Sequence, residues 1–314
     1  MSSPVSDLET LARNDPAVAP LALLLAVGLE AANDPAWASS AGTAAILAAP
    51  GCREDRGGPR MADAAAPLLH GLTLIVDAGR QRALLRRLVA ILTTSGAPEA
   101  GALDALFGAA DFDPLALLTA SVKQDTPAVE ALAAQARIDA SVLAVVGHAA
   151  TLPLLLACGR CAEHAIESTR WKHGYCPLCA AWPTLAEIRG LARDFVLRCG
   201  RCASGWRFVQ RGCAFCGSQD QQSQGYFAAE QERETRRASV CDACHGYLKT
   251  VATLGPLSIS ELLLRDLQSL ELDVTAIEHG YARPDTPAWD LDVWIKPMAA
   301  RDTRAQGGWQ RFWR

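Results

Sequence analysis

Cys176-Pro-Leu-Cys179, Cys199-Gly-Arg-Cys202, Cys213-Ala-Phe-Cys216 and Cys241-Asp-Ala-Cys244 occupy one 69-residue stretch and use eight of the chain's eleven cysteines. Two thiolates on one tight turn reach the same metal ion, and two such turns complete a tetrahedral four-sulfur shell. Four pairs therefore imply two mononuclear sites. In sequence order, Cys176 and Cys179 join Cys199 and Cys202, while Cys213 and Cys216 join Cys241 and Cys244. Each ribbon then encloses an insert of roughly twenty residues, the usual ribbon spacing. A crossed arrangement, first pair with third and second with fourth, stays open on spacing alone. Iron and zinc both accept four thiolates in a tetrahedron, so ligand type does not separate them.

The surroundings of the pairs suit such ribbons. Residues 173–250 contain short β-type runs, Phe195-Val-Leu197 and Trp206-Arg-Phe-Val209, with glycines beside several pairs. Hairpins this small bury little apolar area, so metal must supply stability, on the order of 10 kcal/mol for a structural zinc. The preceding part, residues 1–172, is rich in Ala and Leu. Helices are expected over Gln81–Leu92, Ala128–Val146 and Leu152–Trp171, where apolar residues recur at three- and four-residue spacings. Asp113-Pro114 and Asp125-Thr-Pro127 mark helix starts. Arg53–Pro59 reads as an exposed loop, Ser258–Tyr281 as one amphipathic helix, and Arg301–Arg314 as a loosely held tail. The expected fold is mainly α with small β. A helical N-terminal domain (1–172) precedes a double metal-binding region (173–250, sites 176–202 and 213–244), then a C-terminal helix and tail (251–314).

Formal net charge is -4 over 314 residues, so no global affinity for nucleic acid is implied. Residues 170–250 nevertheless carry twelve Lys/Arg against seven Asp/Glu. One reading is a nucleic-acid patch. The favoured one is charge compensation of the thiolate shells by guanidinium groups, because aromatics are not regularly interleaved with the bases. The N-terminal MSSPVSDLETLARNDP lacks a basic n-region and a long apolar h-region. No secretory signal or membrane insertion is read, and the cytoplasm is the expected compartment. Paired thiols there are more often metal or redox groups than disulfides. No nucleophile elbow or phosphate loop stands out, and closed shells suit structure or electron transfer better than Lewis-acid catalysis. The chain is therefore not expected to be an enzyme.

The order of smaller motifs points further. Trp182-Pro183 follows the first pair, Trp206 and Arg211-Gly212 follow the second, and Tyr226 and Glu230 precede the fourth. After it come His245-Gly-Tyr247-Leu-Lys249, Asp266-Leu267, Leu270 and Gly280-Tyr281. This order, over about residues 173–285, resembles the formate dehydrogenase accessory protein family, FdhE. The resemblance implies a helical domain followed by rubredoxin-like ribbons. It implies a cytoplasmic assembly factor that binds the catalytic subunit of formate dehydrogenase during maturation. It also implies iron at the eight matching cysteines, with zinc a substitute. Two departures stand out: Ala180 replaces the family's usual Gly, and Cys158-Gly-Arg-Cys161 is an extra pair. Rubredoxin-like electron transfer and zinc-ribbon binding of nucleic acid are the competing functions.

Cys158 and Cys161 sit three apart in a helical segment and read as buried small residues rather than a third half-site. Cys52 has no sequence partner. With eight thiols filling two shells, none of His148, His164, His173 or His245 is needed as a ligand; His173 and His245 suit partner contact or hydrogen bonds around a shell.

Overall fold

Carboxylates start helices where the sequence places them. The side chains of Asp77, Asp113 and Asp125 accept bonds from backbone N–H groups of the following turn at 2.9 to 3.1 Å, satisfying donors that a helix start otherwise leaves unpaired. A computed structural model describes residues 4–40, 66–167, 171–208, 212–232 and 234–298. Cys52, the loop 53–59 and the tail 301–314 lie outside them. The N-terminal helices are α1 (Pro4–Asn14), α2 (Ala19–Ala31), α3 (Ala36–Ser40), α4 (Ala78–Thr94), α5 (Ala100–Gly108), α6 (Pro114–Lys123), α7 (Thr126–Ala136) and α8 (Ala140–Glu167). Strand β1 (Leu72–Val76) precedes α4 and pairs in parallel with β8 (Val293–Pro297), Leu72 opposite Val293. The helical part is thus tied to the far end of the described chain.

The expected break between helices near residues 147–151 falls instead at Arg137. Its φ is 55°, and Ile138 N–H bonds the Ala133 carbonyl at 2.9 Å, closing α7 in a left-handed cap. α8 then runs 28 residues through Pro153. Proline has no N–H, so it leaves the Ala149 carbonyl without its usual helical donor. Gly28 of α2 lies against that carbonyl, and a Cβ there would come within 2.7 Å of it. The missing bond and the missing side chain together let two apolar helices cross closely. Among the described residues α8 is the one helix long and apolar enough to cross a membrane, and 72% of its apolar window is buried in the protein.

A six-stranded sheet follows, with strands β2 (Leu185–Arg189), β3 (Asp194–Arg198), β4 (Gly205–Arg207), β5 (Gln224–Phe227), β6 (Arg236–Cys241) and β7 (Gly246–Thr253). Its order is β4-β3-β2-β7-β6-β5. Each half is an antiparallel meander, and the parallel β2–β7 pair joins them. The chain runs knuckle, two strands, knuckle, strand, and then repeats that path. The order within the sheet follows from this repeated path.

The C-terminal amphipathic segment is two helices rather than one: α9 (Ile259–Leu267), opened by a Ser258/Glu261 capping box, and α10 (Leu270–Glu278). Charge braces the break. Lys249 on β7 is 1% exposed, and its Nζ donates to the Asp266 carbonyl at 2.6 Å, alongside the Ser269 N–H and hydroxyl. The same ammonium meets the Asp266 and Asp273 carboxylates at 2.7 and 2.6 Å. Arg283 meets both at 2.8 and 3.0 Å, and Tyr247 donates to Asp273 at 2.8 Å. Two cations and two carboxylates compensate one another here, which is what burial of charge requires. This network fixes α9 and α10 on the sheet.

Candidate metal centres

All four knuckles fold alike. In three, the residue after the second cysteine donates its N–H to the carbonyl of the first: Ala180 to Cys176 and Ala203 to Cys199 at 3.1 Å, Gly217 to Cys213 at 3.0 Å. The first cysteine's N–H returns to the next carbonyl, Ala181, Ser204 or Ser218, at 2.8 to 2.9 Å. The residue after the second cysteine is left-handed in all four: φ is 62° at Ala180, 64° at Ala203, 73° at Gly217 and 53° at His245. Only one of them is glycine. Amides inside the knuckles point at sulfur, Leu178 N–H to Cys176 and Phe215 N–H to Cys213, both at 3.4 Å.

The thiols gather in the consecutive arrangement. Cys176, Cys179, Cys199 and Cys202 form one cluster and Cys213, Cys216, Cys241 and Cys244 the other, each with ligand atoms within 4.8 Å of one another. The crossed arrangement is ruled out. In the first cluster Sγ separations are 3.5 Å (Cys176–Cys202), 3.6 Å (Cys179–Cys199) and 3.8 Å (Cys179–Cys202). In the second they are 3.7 Å (Cys213–Cys244) and 3.8 Å (Cys216–Cys241). A tetrahedron with metal–sulfur bonds of about 2.3 Å has edges of about 3.8 Å. Both clusters therefore have the spacing of a four-thiolate shell and could each hold one ion. The neutral sulfurs in the first cluster are crowded: burial pushes the Cys176 and Cys202 thiols up, while hydrogen bonds from the neighbouring thiols pull Cys199 down. In the second cluster burial raises Cys244 to about 11 and pushes Cys213 up as well. At Cys241 burial is outweighed by the Cys244 and Ala243 backbone N–H groups and neighbouring thiols, which lower it.

The two surroundings differ. The first cluster is at most 1% exposed and belongs to the same apolar core as the helices. Leu68 and Leu69 donate N–H bonds to the Pro177 and Leu178 carbonyls at 2.8 and 3.1 Å. Arg201, between the ligands Cys199 and Cys202, is 8% exposed and donates to the Ser121 and Val122 carbonyls near the end of α6. Its charge neutralises a helix C-terminus on one side and stands beside the thiol cluster on the other. Gly159 of α8 lies so close to the Cys202 carbonyl that any Cβ would overlap it. The second cluster leaves Cys216 and Cys244 exposed, and the core beside it is small: Ala238, Val240, Tyr247, Leu272 and Ala276.

Most of the local bases do not compensate sulfur. Arg189 and Arg198 flank the buried Glu187, Arg207 meets Asp194 at 2.5 Å, and Arg236 meets Glu232 and Glu271 at 2.5 and 3.1 Å. Arg237 lies over the Tyr226 ring. Among the described bases, Arg201 is the guanidinium that stands between two ligands of a shell. No histidine joins either cluster among the described residues. His173 stacks on Tyr175, and His245 supplies a left-handed knuckle residue.

The segment that builds the second cluster decides the comparison with known proteins: residues 212–287 match the model of the FdhE C-terminal domain. The resemblance to the FdhE family holds. A protein FdhE homolog of Aquifex aeolicus is 30% identical over 121 residues, 37% of this chain and 42% of that protein. One of Pseudomonas aeruginosa is 33% identical over 116 residues, 34% of this chain and 37% of that protein. The matched part of the chain thus spans about two fifths of these relatives' length. The crystal structure of the FdhE protein from Pseudomonas aeruginosa matches over 91% of this chain and 93% of that one, with a TM-score of 0.50 and 22% identity. That likeness shows a shared FdhE fold extending into the helical part.

Sequence reasoning missed Arg201 and Gly159 as structural partners of the first cluster. Gly159 had a visible signal. Cys158-Gly-Arg-Cys161 looks like a motif, but its glycine is what the knuckle requires. Cys158 is fully buried, its thiol pushed up by that burial, and neither cysteine joins a cluster.

Proposed function

We propose that the chain is a non-enzymatic accessory factor for the maturation of formate dehydrogenase and binds that enzyme's catalytic subunit in the cytoplasm. The eight clustered cysteines would hold two ions, iron or zinc, and the helical part would serve as scaffold. The observation that carries the reading is the pair of four-thiol shells at tetrahedral spacing in a chain similar to FdhE. Ions bound there order the knuckles, so client binding depends on them through the fold.

The test is anaerobic purification with elemental analysis and a visible spectrum, followed by a maturation assay of Cys199→Ser with Cys202→Ser. About two ions per chain and lost maturation are expected. A variant that retains both its metal and full maturation activity removes the proposal. A second reading, electron transfer, is favoured by the solvent access of Cys216 and Cys244. It requires iron with a reversible one-electron couple, and redox-silent zinc with full activity eliminates it.

A further inference from the structure

A groove runs where three parts of the chain meet: α6, α7 and α8, the first pair of knuckles, and residues 284–287. Its inner hollow has a volume of about 480 Å³ and its outer hollow about 630 Å³. The two share Gln124, Thr126, Glu130, Asp285, Thr286 and Pro287, so they form one continuous depression. Each alone has the volume of a small-ligand pocket, about 300–1,000 Å³, and the two are joined along their shared wall. An extended chain suits that length better.

The walls and ends have distinct chemistry. Trp182, Pro284 and Pro287 line the inner hollow, and Trp182 Nε1 is fixed on the Thr286 carbonyl at 2.9 Å. Proline and aromatic surface of this kind offers few backbone donors and accommodates extended peptides through side-chain packing. The inner lining also contains Ser121 Oγ and Gln124 Nε2, two buried polar atoms with no hydrogen-bond partner among the described residues. Buried polar atoms of this kind are normally satisfied. His148 beside them is neutral, because burial and then the Arg201 charge lower its pKa to about 4. Ser121 Oγ lies against Gly147 of α8, so the inner end offers the Gln124 amide as a donor to a carbonyl group, without adding a second positive charge to that of Arg201. The outer hollow is acidic: Asp125, Glu130, Asp285 and Asp290 against Lys123. None of these four carboxylates has an ion-pair partner among the described residues, although Asp125 caps α7.

We propose that this groove binds an extended peptide segment of a protein partner that carries Lys or Arg residues, its backbone carbonyls toward Gln124 and its cations toward Glu130 and Asp285. The choice of a peptide over a small ligand rests on the reading of this chain as a client-binding factor. Peptide binding measured on the purified chain and formate dehydrogenase maturation measured in cells can fail separately.

The test is fluorescence anisotropy with a labelled peptide of alternating Arg and Ala, using the metal-loaded full chain. A peptide of alternating Glu and Ala is the control. Saturable binding of the Arg peptide alone is expected, weakened by salt. Glu130→Gln with Asp285→Asn should weaken it about five- to tenfold, as two partly screened charge contacts do, with the melting temperature unchanged. Gln124→Asn, which tolerates the left-handed backbone there, should weaken it less. Equal binding by the double variant, or no binding of the Arg peptide, overturns the proposal. Binding that appears only after removal of residues 299–314, which carry four arginines, also overturns it. The groove would then belong to the chain's own segment.

Discussion

The two cysteine clusters share a knuckle geometry and differ in what they hold together. The first is surrounded by residues from the helices, the segment at Leu68 and Leu69, and the sheet. The second sits at the sheet's other half with two of its four thiols exposed. An ion in the first shell stabilises the docking of the helical part onto the sheet. One in the second stabilises a hairpin and its neighbours. Metal coordination as such does not decide the structural role; the apolar contacts made by the knuckle backbone do.

The largest effect should come from removing ligands. Cys199→Ser with Cys202→Ser is expected to cost on the order of 10 kcal/mol of metal-linked stability and to abolish amide-exchange protection along Leu143–Ile166. Cys213→Ser with Cys216→Ser should leave that protection and lose it only in β5 and β6. A chelator should correspondingly empty the second cluster first. Equal loss of protection in α8 for both pairs would erase the distinction between the clusters.

A smaller effect separates them by pH. His148 packs near Arg201 on the first-cluster side, and its folded pKa is about 4 against an ordinary value of 6.5. The unfolded chain binds the proton more readily between these values. The contribution of the neutral ring is therefore full above pH 6.5 and lost as pH falls toward 4. The loss is about 3 kcal/mol at most. In denaturant titrations across that range the parent chain should lose stability relative to His148→Gln as pH falls. Parallel curves would show that the ring does not titrate differently on folding.

Gly159→Ala tests the knuckle contact itself. The new methyl would overlap the Cys202 carbonyl, and overpacking of this sort costs about 1–3 kcal/mol. The melting temperature should fall and the first ion should become easier to chelate. A neutral substitution would mean that α8 and the knuckle can separate without loss.

The eight thiols were legible because ligand spacing within each pair is a local, covalent property of the chain, whereas the choice between consecutive and crossed pairing came only from the sheet that brings the knuckles together. The starts of α6 and α7 were legible for the same reason, since Asp113 and Asp125 act on their own next turns. What escaped was non-local. The split between α9 and α10 falls where Lys249, on a separate strand, meets the Asp266 carbonyl and carboxylate and the Asp273 carboxylate. The continuity of α8 through Pro153 depends on Gly28 facing the carbonyl that proline leaves free. The β1–β8 pair joins strands more than two hundred residues apart, and periodicity carries no record of such a partner. Arg201 looked like one base among twelve because its role comes from the α6 carbonyls it meets.

The smallest effect concerns the two alanines in left-handed knuckle positions of the first cluster. An L-residue there costs about 1–2 kcal/mol, which glycine relieves. Glycine also loosens the unfolded chain, at a cost of about 0.4–1 kcal/mol. Ala203, with φ 64°, is only partly buried, so Ala203→Gly should stabilise the chain by about 0.5 kcal/mol or slightly more. Ala180, with φ 62°, is 0% exposed. Removing its methyl forfeits about 0.8 kcal/mol of burial, so Ala180→Gly should be close to neutral. Thermal melts of the metal-loaded variants should rank Ala203→Gly above Ala180→Gly. The opposite ranking would show that strain in the first knuckle outweighs the packing of Ala180 against the shared core.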